Sequence, residues 1–212
     1  MNLETSKNLG GIGAILVAIG GLATFGAGYA GLLSLIGIIL VLIAAKGLAD
    51  NYGEAGIFNN ALYALIMGII GVVALIGVLV FSVLSAIADL GIDTTDWANL
   101  GPQLQQRLMG GDMDFIWKLL GTIVLAWVVL SICVIIAAIF SRKSLNLASA
   151  KTGVGMFGIA GILMLIGGIL AVVFIGYLLI WIAWILIAVA FFSIRTTATQ
   201  QTAPAQPSQP SA

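Results

Sequence analysis

Histidine is absent from this 212-residue chain. With it goes the side chain that most often shuttles protons near neutral pH and most often ligates metals. The single cysteine, Cys133, excludes an internal disulfide, and its neighbours Ile132, Val134 and Ile135 mark it as a small buried hydrophobe. Charge is scarce too. Only 8% of residues carry it and the formal net charge is zero, against about 25% charged residues in soluble domains. Binding of nucleic acid by bulk electrostatics is thereby excluded. No histidine and one lone cysteine leave no nucleophile–base constellation, so a non-enzymatic protein without cofactor or metal is expected.

What the chain has in plenty is apolar surface: 61% hydrophobic residues and a mean hydropathy of +1.20. Thr152–Ile194 contains no charged residue and is long enough to cross a bilayer twice, at about 20 residues per span. A backbone in hydrocarbon must satisfy its own hydrogen bonds, which makes both crossings helical. The hinge is expected at Gly176-Tyr177.

The same reading gives an all-α membrane protein with six transmembrane helices, at about 9–25, 29–45, 61–88, 115–140, 153–175 and 177–194, arranged as three hairpins. Gly26-Ala27-Gly28 is a short link that makes the first two helices antiparallel neighbours. Gly28-Tyr29-Ala30 resembles a signal-peptide cleavage site, but Glu4 and the apolar run that follows at once argue against cleavage. Gly47–Asn60 is expected as a loop, with Asn59 or Asn60 capping the third helix, although Lys46 and Asp50 are spaced to extend the second by a turn. Ser141-Arg142-Lys143 is expected to end the fourth helix. Residues 196–212 switch to Thr, Gln, Ala, Ser and Pro and are expected to be disordered.

Lys7, Lys46, Arg142, Lys143, Lys151 and Arg195 fall on one side of this arrangement, and Arg107 and Lys118 on the other. The positive-inside rule then places both termini in the cytoplasm of a multi-pass cell-membrane protein, with Leu90–Asp114 outside. In that outer segment Asp93-Thr94-Thr95-Asp96 reads as a cap for a short surface-lying helix carrying Trp97 and Leu100, which Gly101-Pro102 breaks and restarts. Asp93, Asp96, Asp112 and Asp114 lack the array of a calcium loop.

Glycines supply the packing signal. Gly13 and Gly20, like Gly161 and Gly168, are heptad-spaced, Gly68 and Gly71 share a face, and Ala64-x-x-x-Gly68 and Gly167-x-x-x-Ala171 are pairs of small residues. Helices in lipid gain nothing by hiding apolar side chains from each other, so close backbone approach at small residues is expected at these sites. Trp97, Trp117, Lys118, Tyr177 and Trp181 are candidate interfacial anchors, with Trp184 continuing the stripe of Tyr177 and Trp181. Gly153-Val-Gly-Met-Phe-Gly158 fits a dinucleotide-binding pattern, but no acidic residue follows Asp114, so the pattern is again small residues for packing.

A shift of 148 positions lays Gly10, Gly13, Gly20, Gly28 and Tyr29 on Gly158, Gly161, Gly168, Gly176 and Tyr177, which suggests a parallel repeat of the first and last hairpins. The opening Asn2-Leu-Glu-Thr-Ser-Lys-Asn-Leu-Gly-Gly-Ile-Gly13, Lys46-Gly-Leu-Ala-Asp-Asn-Tyr52 and Ile57-Phe-Asn-Asn-Ala-Leu-Tyr63 carry a resemblance. Over residues 1–195 the chain resembles a domain-of-unknown-function family of small, mostly archaeal, polytopic integral membrane proteins. That resemblance implies a helical membrane protein and brings no activity or site residues. Two functions fit the sequence. One is association, with itself or a membrane partner, through helix packing in the lipid bilayer. The alternative is a small permease or channel for neutral or apolar solutes. A filled core favours the first, a cavity at mid-membrane the second.

Overall fold

The structure, a computed structural model, describes residues 1–23, 30–90, 99–110, 113–173 and 175–195. Among these residues every regular element is a helix: α1 (Leu3–Ala23), α2 (Ala30–Tyr52), α3 (Ala55–Leu90), α4 (Leu100–Met109), α5 (Met113–Thr152), α6 (Gly155–Leu170) and α7 (Ile175–Phe192). A short 3-10 turn, Ala171–Val173, follows α6. Five helical stretches are long and apolar enough to cross a membrane: Gly31–Tyr52, Ala55–Ser82, Ile116–Thr152, Gly155–Val173 and Ile175–Phe192. The sequence suggests six. α1, which opens among Glu4, Lys7 and Asn8, is not one of the five.

Two of the expected loops are tight turns between long helices. α2 runs through to Tyr52, and Gly53, at φ +63°, reverses the chain into α3. The amide of Glu54 donates to the carbonyl of Ala49 at 3.0 Å, closing the helix end in the way a left-handed residue allows. Asn60 caps nothing. It lies inside α3, where its Nδ2 donates to the Gly56 carbonyl at 2.7 Å. Likewise α5 does not stop at Ser141-Arg142-Lys143 but continues to Thr152, and Gly153, at φ +72°, turns it into α6. Polar residues here do not mark loops. Most decorate helix surfaces, and Lys151 Nζ at the end of α5 meets Glu54 Oε2 in the α2–α3 turn at 3.3 Å, tying the two turns together. Gly101-Pro102 does not break a helix either. Both lie in the first turn of α4, where an amide hydrogen has no intrahelical partner to lose.

The long helices form a closed ring. Going round it, α1 packs on α2, α2 on α3, α3 on α5, α5 on α6, α6 on α7, and α7 returns to α1. The three expected hairpins are thus neighbouring pairs. Lys7 Nζ on α1 donates to the Ile194 carbonyl beyond α7 at 3.0 Å and closes the ring. At the end that carries the Gly53 and Gly153 turns, the interior is solid: Ser6, Leu48, Ile57, Phe157 and Ile194 are each at most 1% exposed. Phe157 and Phe191 meet edge to face there, with ring centroids 5.1 Å apart. Ser144 Oγ, itself buried, donates to the Ile57 carbonyl at 2.6 Å and fastens α5 to α3. This floor is the best-packed part of the molecule.

One pair of glycines aligned by the proposed repeat differs in its surroundings. Gly13 meets α2, its own hairpin partner, whereas Gly161 meets α5. Gly28 and Tyr29, the tail after Arg195, and the residues from Gly91 to Ala98 with their aspartates lie outside the described residues.

Candidate functional site: an apolar cavity between two helices

Above the floor the ring is not filled. A cavity of about 470 Å³ lies inside it, within the ~300–1,000 Å³ range of ligand pockets. It is walled by α2, α3, α5, α6 and α7. On α3 the lining residues Ile57, Ala61, Ala64, Gly68 and Val72 recur every three or four positions, which puts them on one helical face. That face is poor in bulk. On α2 the facing positions include Leu35, Ile38, Leu42 and Ala45. α2 and α3 are buried together near their turn, at Ala45, Leu48 and Ile57. Farther along, Leu35, Ile69, Val72 and Val73 line the cavity and are yet 51–63% exposed. The cavity therefore opens sideways between α2 and α3, through apolar side chains, and is shut at the floor by Leu48, Ile57, Phe157 and Phe191.

Its chemistry is almost wholly apolar. Among the described lining residues only Ser141, Ser144 and Trp184 carry a side-chain nitrogen or oxygen, and the Ser144 hydroxyl is already committed to Ile57. Nothing in such a wall recognises charge. Among the described residues no three His, Cys, Asp or Glu side chains come together.

The glycines singled out in the sequence have different fates. A Cβ built on Gly13 would lie 2.7 Å from the Gly37 carbonyl oxygen, and one on Gly168 would lie 2.6 Å from the Ala138 Cβ. Gly161 backs onto Leu145 and Arg142 of α5, and Gly71 onto Cys133, which is buried. Gly20 is buried in α1. Gly68 differs: a Cβ there would meet nothing within 4 Å, because it faces the cavity and no helix. Close contacts that the sequence does not single out include Gly37 against Gly13 and Gly47 under Ser6.

Of the aromatic candidates, Trp97 lies outside the described residues. Trp117 is 70% exposed on α5, beside exposed Lys118. Trp181 ties two helices together, its indole N–H donating to the Ala18 carbonyl of α1 at 3.0 Å. Tyr177 is exposed near the start of α7, while Trp184 turns to the cavity. The cavity itself was missed in sequence. Its one legible trace is the Ala64-x-x-x-Gly68 pair, which marks room without saying what fills it.

A family model described as "Protein of unknown function (DUF996)" matches residues 33–185. An uncharacterized protein of Methanocaldococcus jannaschii is 28% identical over 194 residues, covering 92% of this chain and 94% of that protein. No solved structure matches.

Proposed function

Since the chain belongs to the DUF996 family, whose function is unknown, we propose its role from the cavity: a non-enzymatic, multi-pass membrane protein that takes neutral apolar solutes from the bilayer, as a small permease would. The observation that carries this is the lateral mouth between α2 and α3, where the apolar residues Leu35, Ile69, Val72 and Val73 line the cavity and are exposed. A solute dissolved in hydrocarbon reaches such a mouth without crossing a polar surface, and a charged one gains nothing by entering. The closed floor makes this a state open to the bilayer and sealed at the turn-bearing end. Association through small-residue faces has less to support it, because Gly13, Gly161 and Gly168 are already used in contacts within the chain.

Filling the cavity tests the reading. Gly68 lines the cavity and has free space where its Cβ would be, so the side chain of Gly68→Phe starts into the cavity and not into a neighbouring helix. Native mass spectrometry of the protein extracted from membranes should show a bound apolar adduct that Gly68→Phe loses while retaining its thermal stability. A wild-type protein that carries no adduct, or an adduct indifferent to Gly68→Phe, overturns the reading.

Six spans with cytoplasmic termini are part of the same proposal. α1 would be the sixth span, and the six-to-two distribution of basic residues sets the sense. Single cysteines at Gln200 and Gln105 in a Cys133→Ser background report it through an impermeant thiol reagent on intact cells. Labelling is expected at position 105 and not at 200. The reverse pattern overturns the orientation.

A further inference from the structure

We infer that the cavity takes one extended aliphatic chain, the tail of a bilayer lipid, in preference to a compact apolar molecule. The inference rests on the proposed uptake of apolar solutes and specifies their shape.

Proportions come first. The cavity follows α2 from Leu35 to Leu48 and α3 from Ile57 to Val73. At 1.5 Å per residue these stretches are roughly 20 and 24 Å long. A cavity of about 470 Å³ whose lining is drawn out along two helices in this way is elongated. A methylene chain, whose carbons can make contacts of about 3.5–4.0 Å along its whole length, follows such a shape better than a compact ring system does.

The ends agree with this. At the closed end Leu48, Ile57, Phe157 and Phe191 offer only carbon, which suits a chain terminus and no headgroup. The open side faces outward along α2 and α3 in stretches apolar enough to span a membrane, where lipid tails are the neighbours at hand. A tail that slips between the two helices leaves its headgroup outside, so the cavity needs no polar partner for it. Gly68 lies between the mouth at Val73 and the floor, and its missing side chain keeps the bore continuous past the middle of α3.

Trp184 lines this bore and reports on its contents. A variant with Trp97, Trp117, Trp127 and Trp181 changed to Phe keeps it as the lone indole. In bilayers containing a phosphatidylcholine with a dibrominated acyl chain, Trp184 fluorescence should be quenched, and Gly68→Phe should at least halve the quenching. Bromoadamantane, compact and equally apolar, should quench Trp184 only weakly. Equal quenching by bromoadamantane overturns the chain and leaves the uptake of apolar solutes standing. Absence of quenching by either probe overturns both. Quenching by the brominated lipid that Gly68→Phe does not alter means the chain is sensed from outside the bore, and overturns the inference. If the four-fold variant does not fold, the loss of quenching between the unaltered protein and Trp184→Phe is the same measurement.

Discussion

Phe157→Ala is expected to destabilise the protein by about 3–5 kcal/mol, the usual cost of removing a fully enclosed phenyl ring. Phe157 is 0% exposed at the start of α6, and its ring stands edge-on to Phe191. Leu48 of α2, Ile57 of α3 and Ile194 beyond α7 are equally enclosed at this end, so loss of the ring opens the floor beneath the cavity. The aromatic contact alone accounts for roughly 1 kcal/mol beyond burial. Thermal unfolding in detergent measures the effect, with Phe81→Ala as the comparison, since Phe81 is 71% exposed on α3. Comparable losses in the two variants would show that the floor is not the tightly packed region described above.

Gly176→Ala is the second large effect. A Cβ at this position would lie 2.0 Å from the Gly167 carbonyl oxygen and 2.2 Å from the Ala171 amide nitrogen. Both obstacles are backbone, and backbone cannot swing aside as a side-chain tip does. One methyl group therefore forces α6 and α7 apart, at a cost of about 1–3 kcal/mol or more. Gly68→Ala, which adds the same methyl to free space, is expected to stay within about 0.5 kcal/mol of the parent. If both variants melt together, close approach at Gly176 is not what holds this hairpin.

The comparison of these two glycines shows how far the sequence could be read. Charge-free runs are unambiguous about helices that suit a membrane, because an unpaired backbone group in hydrocarbon is so costly. Boundaries were harder. Residues 47–60 and 141–151 are polar enough to resemble loops, yet Lys46 pairs with Asp50 and Asn51 Nδ2 reaches the Gly47 carbonyl along one continuous helix. The turns were marked only by Gly53 and Gly153, each with a positive φ that other residues rarely adopt. Gly176 looked like such a hinge. It sits instead inside the first turn of α7, and the reversal comes a few residues earlier, because its role is closeness and not conformational freedom.

Glycine spacing, in turn, identifies a face without saying what lies opposite. Gly68 and Gly71 are three residues apart, about 60° round the helix. That small rotation separates a contact with Cys133 from an open cavity. For the same reason the site left no more in the sequence than the Ala64-x-x-x-Gly68 pair. A cavity is defined by what several distant segments fail to fill, and no local pattern records that.

The closure of the ring by α7 on α1 has a consequence in time. Ile194 lies 187 residues beyond Lys7, the base that bonds its carbonyl. A ribosome adding about 5–20 residues per second takes roughly 10–40 s to cover that distance. Through this interval the Gly10 and Gly11 face of α1, which Phe191 and Phe192 later cover, has no partner from its own chain. Nascent α1 must wait beside α2 in whatever surrounds it. Of the described helices, the last to emerge from the ribosome is the one that turns a row of helices into a ring.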